Sequence, residues 1–149
     1  MHLQLLATTS ALSVFHDVKN DWLYLDWQGD LTRKSVQEGC IAVARCFLRK
    51  NYVRVLNDNT SVTSLSPEVA SWLATECLPR IKLSTIEYLA WTYSPNIETQ
   101  FWTNVAMYQI DGPVVVTFDD VESAYAWLRE VKFRSPGSLS ASALSGVAV

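Results

Sequence analysis

The chain has 149 residues, 49% of them apolar and six of them Trp, enough for one domain with a core that needs no disulfide or metal. A formal charge of −3 with interspersed signs offers no basic stripe and argues against a nucleic-acid partner. Met1-His2-Leu3-Gln4-Leu5-Leu6 lacks the basic start and long apolar core of a signal peptide. No stretch approaches the ~18 apolar residues of a membrane span, so a soluble cytoplasmic protein is expected.

Ser10 to Asp17 mixes β-branched, aromatic and small residues and reads as a first strand. Val18-Lys19-Asn20-Asp21 is a turn, since Asn and Asp tolerate a left-handed backbone. Trp22 to Trp27 alternates as a second strand, with Trp22, Tyr24 and Asp26 on one face and Leu23, Leu25 and Trp27 on the other. The short turn predicts an antiparallel hairpin, ended by Gln28-Gly29-Asp30. Thr32 is an N-cap for an amphipathic helix whose apolar residues Val36, Cys40, Ile41, Val43, Ala44, Phe47 and Leu48 follow at helical spacing and which ends near Lys50-Asn51. Val53 to Asn57 is a third strand, and a right-handed βαβ unit makes it parallel to the second.

Asn59 to Ser66 reads as a polar loop. Ser66 suits an N-cap, Pro67 the first helical position and Glu68 the positive end of the helix dipole. The helix runs through Trp72 and Cys77 until Pro79 kinks or ends it. Ile86 to Tyr93 is a fourth strand, broken by Ser94-Pro95-Asn96. Ile97 to Gln109 is a helix with Phe101, Val105 and Tyr108 along one side. After the turn Asp111-Gly112-Pro113, Val114 to Phe118 has the continuous apolar character of a buried strand. Asp119 and Glu122 have capping-box spacing before a last helix with Val121, Ala124, Tyr125, Leu128 and Val131 as its stripe. The domain is read as residues 1–133. Residues 134–149, rich in Ser and Ala and without charge from Ser135 onward, are read as a flexible tail, with a docked tail or an oligomer contact as alternatives.

The order of these pieces resembles a known group. A Trp-rich hairpin leads through a helix to Leu56-Asn57-Asp58-Asn59, then Ser66-Pro67-Glu68, Trp72 and Leu78-Pro79-Arg80. The chain closes on Phe118-Asp119-Asp120 and Ala124-Tyr125-Ala126-Trp127-Leu128. Together they look like the STAS/SEC14-like bacterial proteins similar to the sporulation anti-anti-sigma factor, over roughly residues 10–131. The resemblance implies a STAS-like (SpoIIAA-like) α/β sandwich, with a mixed, mainly parallel sheet of four or five strands and about four helices. It also implies a regulatory role through protein partners, switched in true anti-anti-sigma factors by phosphorylation of a Ser in an Asp-Ser-Ser-Gly-type motif. Here Val62-Thr63-Ser64-Leu65-Ser66-Pro67-Glu68 keeps two serines but neither the acidic residue before them nor the glycine after. SEC14-like domains carry an apolar ligand between helices and sheet.

Two sites emerge. Asp58, Asn59, Ser64 and Ser66 gather at a strand end and helix start, where turn and cap chemistry competes with recognition or phosphorylation. Trp91, Tyr93, Phe101 and Trp102 suggest an aromatic pocket or interface, and with the apolar tail they are compatible with a homodimer. Chemistry has less support. Asp26, Asp30, Asp119 and Asp120 sit where turns and caps favour Asp. His2 and His16 are not spaced with Cys40, Cys46 or Cys77 for zinc, and the cysteines read as free buried thiols in a reducing cytosol. No nucleophile elbow or Gly-rich phosphate loop occurs. The reading is a non-enzymatic protein-interaction module with no cofactor, the alternative a domain binding a lipid or another apolar small molecule.

Overall fold

Among the described residues six strands lie side by side in chain order, so each strand packs beside the one made before it. The structure, a computed structural model, describes residues 1–131; the expected tail lies outside the described residues. The strands are β1 (Leu3–Thr8), β2 (Leu12–Asp17), β3 (Trp22–Leu31), β4 (Arg54–Leu65), β5 (Tyr88–Thr92) and β6 (Val114–Phe118). The helices are α1 (Arg33–Arg49), α2 (Pro67–Trp72), α3 (Ile97–Met107) and α4 (Val121–Val131). β1, β2 and β3 pair antiparallel, and β3 through β6 pair parallel. The sheet thus holds one strand more than the four or five expected. The additional strand, β1, is an edge strand largely exposed on both faces, so selection for burial leaves no alternation in Leu3-Gln4-Leu5-Leu6.

The hairpin forms as its sequence dictates. Asp21 takes the left-handed backbone, φ 58°, and the Asp17 carboxylate accepts from the Lys19 and Asn20 N–H groups, each at 3.1 Å. The alternation in β3 then splits the core. Leu23, Leu25 and Trp27 pack beneath α1, α2 and their neighbours, whereas Trp22 packs with Ala124 and Leu128 of α4. Burying each such side chain is worth about 1.5–3 kcal/mol. Arg54 clips the second layer to the hairpin: its guanidinium donates to the Leu128 and Asn20 carbonyls and lies 5.0 Å over the Trp22 ring.

Several boundaries differ from expectation. β3 does not end at Gln28-Gly29-Asp30; it shifts register there, with Gly29 at φ 81°, and continues to Leu31. The segment expected as a loop, Asn59 to Ser66, is instead mostly strand, because β4 keeps pairing with β3 through Gly29↔Val62 and Leu31↔Leu65. Thr60, Val62 and Thr63 suit that pleat. The helix begun at Ser66 does not run on uniformly. It passes into a π-helical turn, Leu73–Cys77, closed by the Leu78 N–H on the Leu73 carbonyl, and then a 3-10 segment, Leu78–Leu83, that contains Pro79. β6 is an edge strand with Val114 half exposed rather than a buried one. The cap of α4 is Asp120, which accepts from the Ser123 N–H at 2.7 Å, not Asp119 with Glu122. Thr32 caps α1 as expected, in a reciprocal box with Ser35.

Gly39 of α1 lies against Trp27: a Cβ there would stand 2.3 Å from Cη2 and 2.7 Å from Cζ3 of the indole. In an open helix Gly→Ala stabilises by roughly 1 kcal/mol. Here Gly39→Ala should instead destabilise by about 1–3 kcal/mol through overpacking, read as a lower urea midpoint. A rise in midpoint would contradict this packing.

Candidate functional site

Three consecutive polar residues sit in the middle of the sheet. Asn57, Asp58 and Asn59 are all buried on β4, where unpaired polar groups would each cost about 1–3 kcal/mol. Each is provided for. Asn57 Oδ1 accepts from Trp27 Nε1 at 2.9 Å. Asn59 Nδ2 donates to the Thr92 carbonyl at 3.2 Å. Asp58, 3% exposed, accepts from the Tyr24 hydroxyl at 2.5 Å, the Thr60 N–H and hydroxyl at 2.9 and 2.7 Å, and the Thr92 hydroxyl at 2.9 Å. Burial, then the Asp58 carboxylate, pushes the Tyr24 phenol well above its ordinary range. Asp26 lies beside Asp58 in register; burial and the Asp58 charge raise its carboxyl, opposed by a hydrogen bond from Gln28.

Side chains alternate along β4, so Val55, Asn57 and Asn59 point away from α4. They help line an apolar cavity of about 160 Å³ between sheet and helices. Leu25 and Trp27 of β3 and Leu89 and Trp91 of β5 complete the sheet side. Val36, Cys40 and Val43 of α1, Leu73 and Cys77 of the π-helical turn, and Thr99, Thr103 and Ala106 of α3 form the other walls. Asn57 and Asn59 spend hydrogen-bonding capacity on neighbours. Trp91 Nε1 is different: it is buried and has no hydrogen-bond partner among the described residues.

The two expected residue groups fall out differently. Asp58 is structural in its contacts, and Asn59 lines the cavity. Ser64 is exposed and donates to Asp30 Oδ1 at 2.9 Å beside Thr63 at 2.5 Å; those hydroxyls hold the Asp30 carboxyl below its usual range. Ser66 Oγ accepts from the Val69 N–H at 3.2 Å as the cap of α2. Of the aromatics, Trp91 lines the cavity and Trp102 packs against the core around it. Tyr93 turns its hydroxyl to Asn104 at 2.6 Å. Phe101 meets Trp102 edge-on at 5.0 Å but is 58% exposed. α3 is therefore inverted. Its buried side carries Thr99, Thr103 and Ala106, and Ile97, Phe101, Val105 and Tyr108 face outward.

Sequence reasoning missed Tyr24, Thr92 and the Trp27–Asn57 pair. A polar Thr inside the apolar run Ile86–Tyr93 was the available signal for Thr92. Among the described residues, no group of three or more His, Cys, Asp or Glu is placed to hold a metal, and no helix is long and apolar enough to cross a membrane.

Taken together, the mixed sheet with helices on both faces is a SpoIIAA-like α/β fold. Comparison with protein-family models gives no match, and comparison with curated proteins gives none either. Among solved structures the chain is similar to that of an uncharacterised protein of the DUF3478 family with a SpoIIAA-like fold, from Shewanella loihica. The TM-score is 0.52 at 17% identity, covering 83% of this chain and 98% of that one. At that identity the likeness speaks to the fold.

The Thr92 hydroxyl donates to Asp58 and also accepts from the Asn59 N–H at 3.0 Å. Thr92→Val keeps the shape and removes both bonds, so it should cost about 2–4 kcal/mol. Chemical denaturation measures this; a loss under ~0.5 kcal/mol would show that the hydroxyl is dispensable.

Proposed function

We propose that this chain is a non-enzymatic binding module whose site is the cavity between the sheet and helices α1 to α3, and that its ligand is a small apolar molecule carrying one hydrogen-bond acceptor. The observation that carries this reading is the apolar cavity, which Trp91 lines; the buried Nε1 of that Trp has no hydrogen-bond partner among the described residues. A void of about 160 Å³ stands out in a protein interior, where close packing is the rule. An apolar cavity of similar size accommodates a benzene-sized molecule. An acceptor oxygen on the ligand would satisfy the indole N–H, and the apolar walls would take the rest by dispersion and desolvation.

A second reading is favoured by a separate observation, the outward stripe Ile97, Phe101, Val105 and Tyr108 on α3, the last 88% exposed. Beside the Ser66-capped α2, which packs on α3, it suits a protein partner in a regulatory assembly. Such a surface and the cavity share the helices that cover the sheet, so a ligand beneath them could bias a partner above them.

The first reading is tested by titrating the protein with toluene and with acetophenone under ligand-observed NMR. Both should bind, acetophenone about tenfold more tightly, since one buried hydrogen bond is worth about 1.4 kcal/mol. Trp91→Phe should remove the preference and leave toluene binding in place. Failure of both to bind would sink the reading. For the second, Phe101→Glu should abolish capture of a protein partner from the native cells while moving Tm by no more than ~2 °C; undiminished capture would exclude the α3 stripe.

A further inference from the structure

Cys40 and Cys77 are 37 residues apart in sequence, yet their sulfurs touch at 2.8 Å. Cys40 projects from α1 and Cys77 ends the π-helical turn, both half-buried and both lining the cavity. Cys46, the third free thiol, is buried about one and two-thirds turns further along α1 and lies outside this pair. The two thiols of the pair are not equivalent. The Cys40 S–H, followed by the Arg80 guanidinium, lowers the Cys77 thiol despite burial; the Cys77 sulfur, then burial, raises that of Cys40. Cys77 is thus the thiol of the pair that ionises more readily.

We propose that Cys40 and Cys77 are a redox-active dithiol which a low-molecular-weight disulfide oxidises, tying the π-helical turn to α1 over the apolar cavity. The Cys77 thiolate attacks one sulfur of the small disulfide, forming a mixed disulfide and expelling one thiolate. Cys40 loses its proton to that leaving thiolate. Its own thiolate then attacks Cys77 Sγ, expels the second small thiolate, which takes a proton from water, and completes the protein disulfide. Two protein thiols are oxidised as one disulfide is reduced to two thiols, so the electrons balance.

The bond would matter because of what it joins. α1 is a 17-residue helix held down on the sheet. Residues 73–83 have no α-helical ladder: a π turn and a 3-10 segment carry them past Pro79. Such turns are short, with poorer hydrogen-bond geometry, and recur at functional sites. They are the least regular part of the cavity wall, and openings that admit ligands are drawn from segments of low local stability. In the dithiol state the wall can open; in the disulfide state it is fastened. This control of access rests on the cavity being a ligand site, whereas the dithiol chemistry does not.

The test treats the full chain with oxidised glutathione and follows it by mass spectrometry. The expected product has lost two hydrogens, yields a crosslinked Cys40–Cys77 peptide and leaves Cys46 free to alkylation after unfolding. Dithiothreitol should reverse it, and Tm should rise by roughly 5 °C or more on oxidation. Exchange of toluene, read by NMR, should slow at least about tenfold in the oxidised protein and stay fast in Cys40→Ser and Cys77→Ser. A lasting glutathione adduct on Cys77, a Cys46 crosslink or no reaction would overturn the dithiol. A Cys40–Cys77 crosslink with unchanged toluene exchange would overturn the control of access. Failure of toluene to bind the reduced protein would remove the cavity reading and access control with it, while the crosslink would still judge the dithiol.

Discussion

One hydroxyl governs the centre of the molecule. Thr92, fully buried at the end of β5, donates to the Asp58 carboxylate and accepts from the Asn59 N–H. It sits at the last rung where β4 and β5 pair, Asp58↔Thr92. Beyond that rung β4 runs on beside β3, and Ser94 holds it by donating to the Val62 carbonyl at 2.5 Å. A carboxylate can be buried here because four donors meet it. With Asp58 satisfied on one face, Asn57 and Asn59 are free to occupy the other, each with a partner from a neighbouring strand. The cavity wall can then be almost wholly apolar.

The cavity itself follows from the helices chosen to cover it. α3 presents Thr99, Thr103 and Ala106 inward, side chains too small to fill the gap above Leu89 and Trp91. Its larger residues are spent on solvent. The segment after α2 changes from α to π to 3-10 geometry within a dozen residues, which widens and then tightens the backbone and keeps Leu73, Leu78 and Ile81 against the cavity. Close packing is the default of protein interiors. A void retained beneath the least regular helical segment is the combination expected where something must enter.

The fold was legible wherever period and punctuation agreed. Leu23, Leu25 and Trp27 alternate cleanly with Trp22 and Tyr24, and both faces of β3 bury as that pattern requires. Thr32 and Ser66 cap their helices because Thr and Ser supply the acceptor that a first turn lacks. Edges were less legible for an equally physical reason: with solvent on one or both sides their residues carry little partition between core and water, so β1 gives no strand signal, and β6, legible in its correct bounds, reads as a buried strand. The polar run Asn59 to Ser64 imitates a loop, since its strand pairing is decided by β3, some thirty residues away. Of the expected site residues, Trp91, Asn59 and Trp102 come to the cavity or its surround, whereas Ser64, Ser66, Tyr93 and Phe101 lie at caps or toward solvent. Local sequence marks α3 as amphipathic but cannot tell which side is inward when the inward residues are Thr and Ala. The Cys40–Cys77 contact joins two elements with no local relation, so no spacing rule would reveal it.

The most direct test of the central claim is where a small apolar molecule rests. Methyl-labelled protein with bound acetophenone should give intermolecular nuclear Overhauser effects to the methyls of Val43, Leu73, Ile86 and Leu89, which line the cavity. Effects confined to exposed methyls such as Ile97 and Val105, or none at all, would contradict the account.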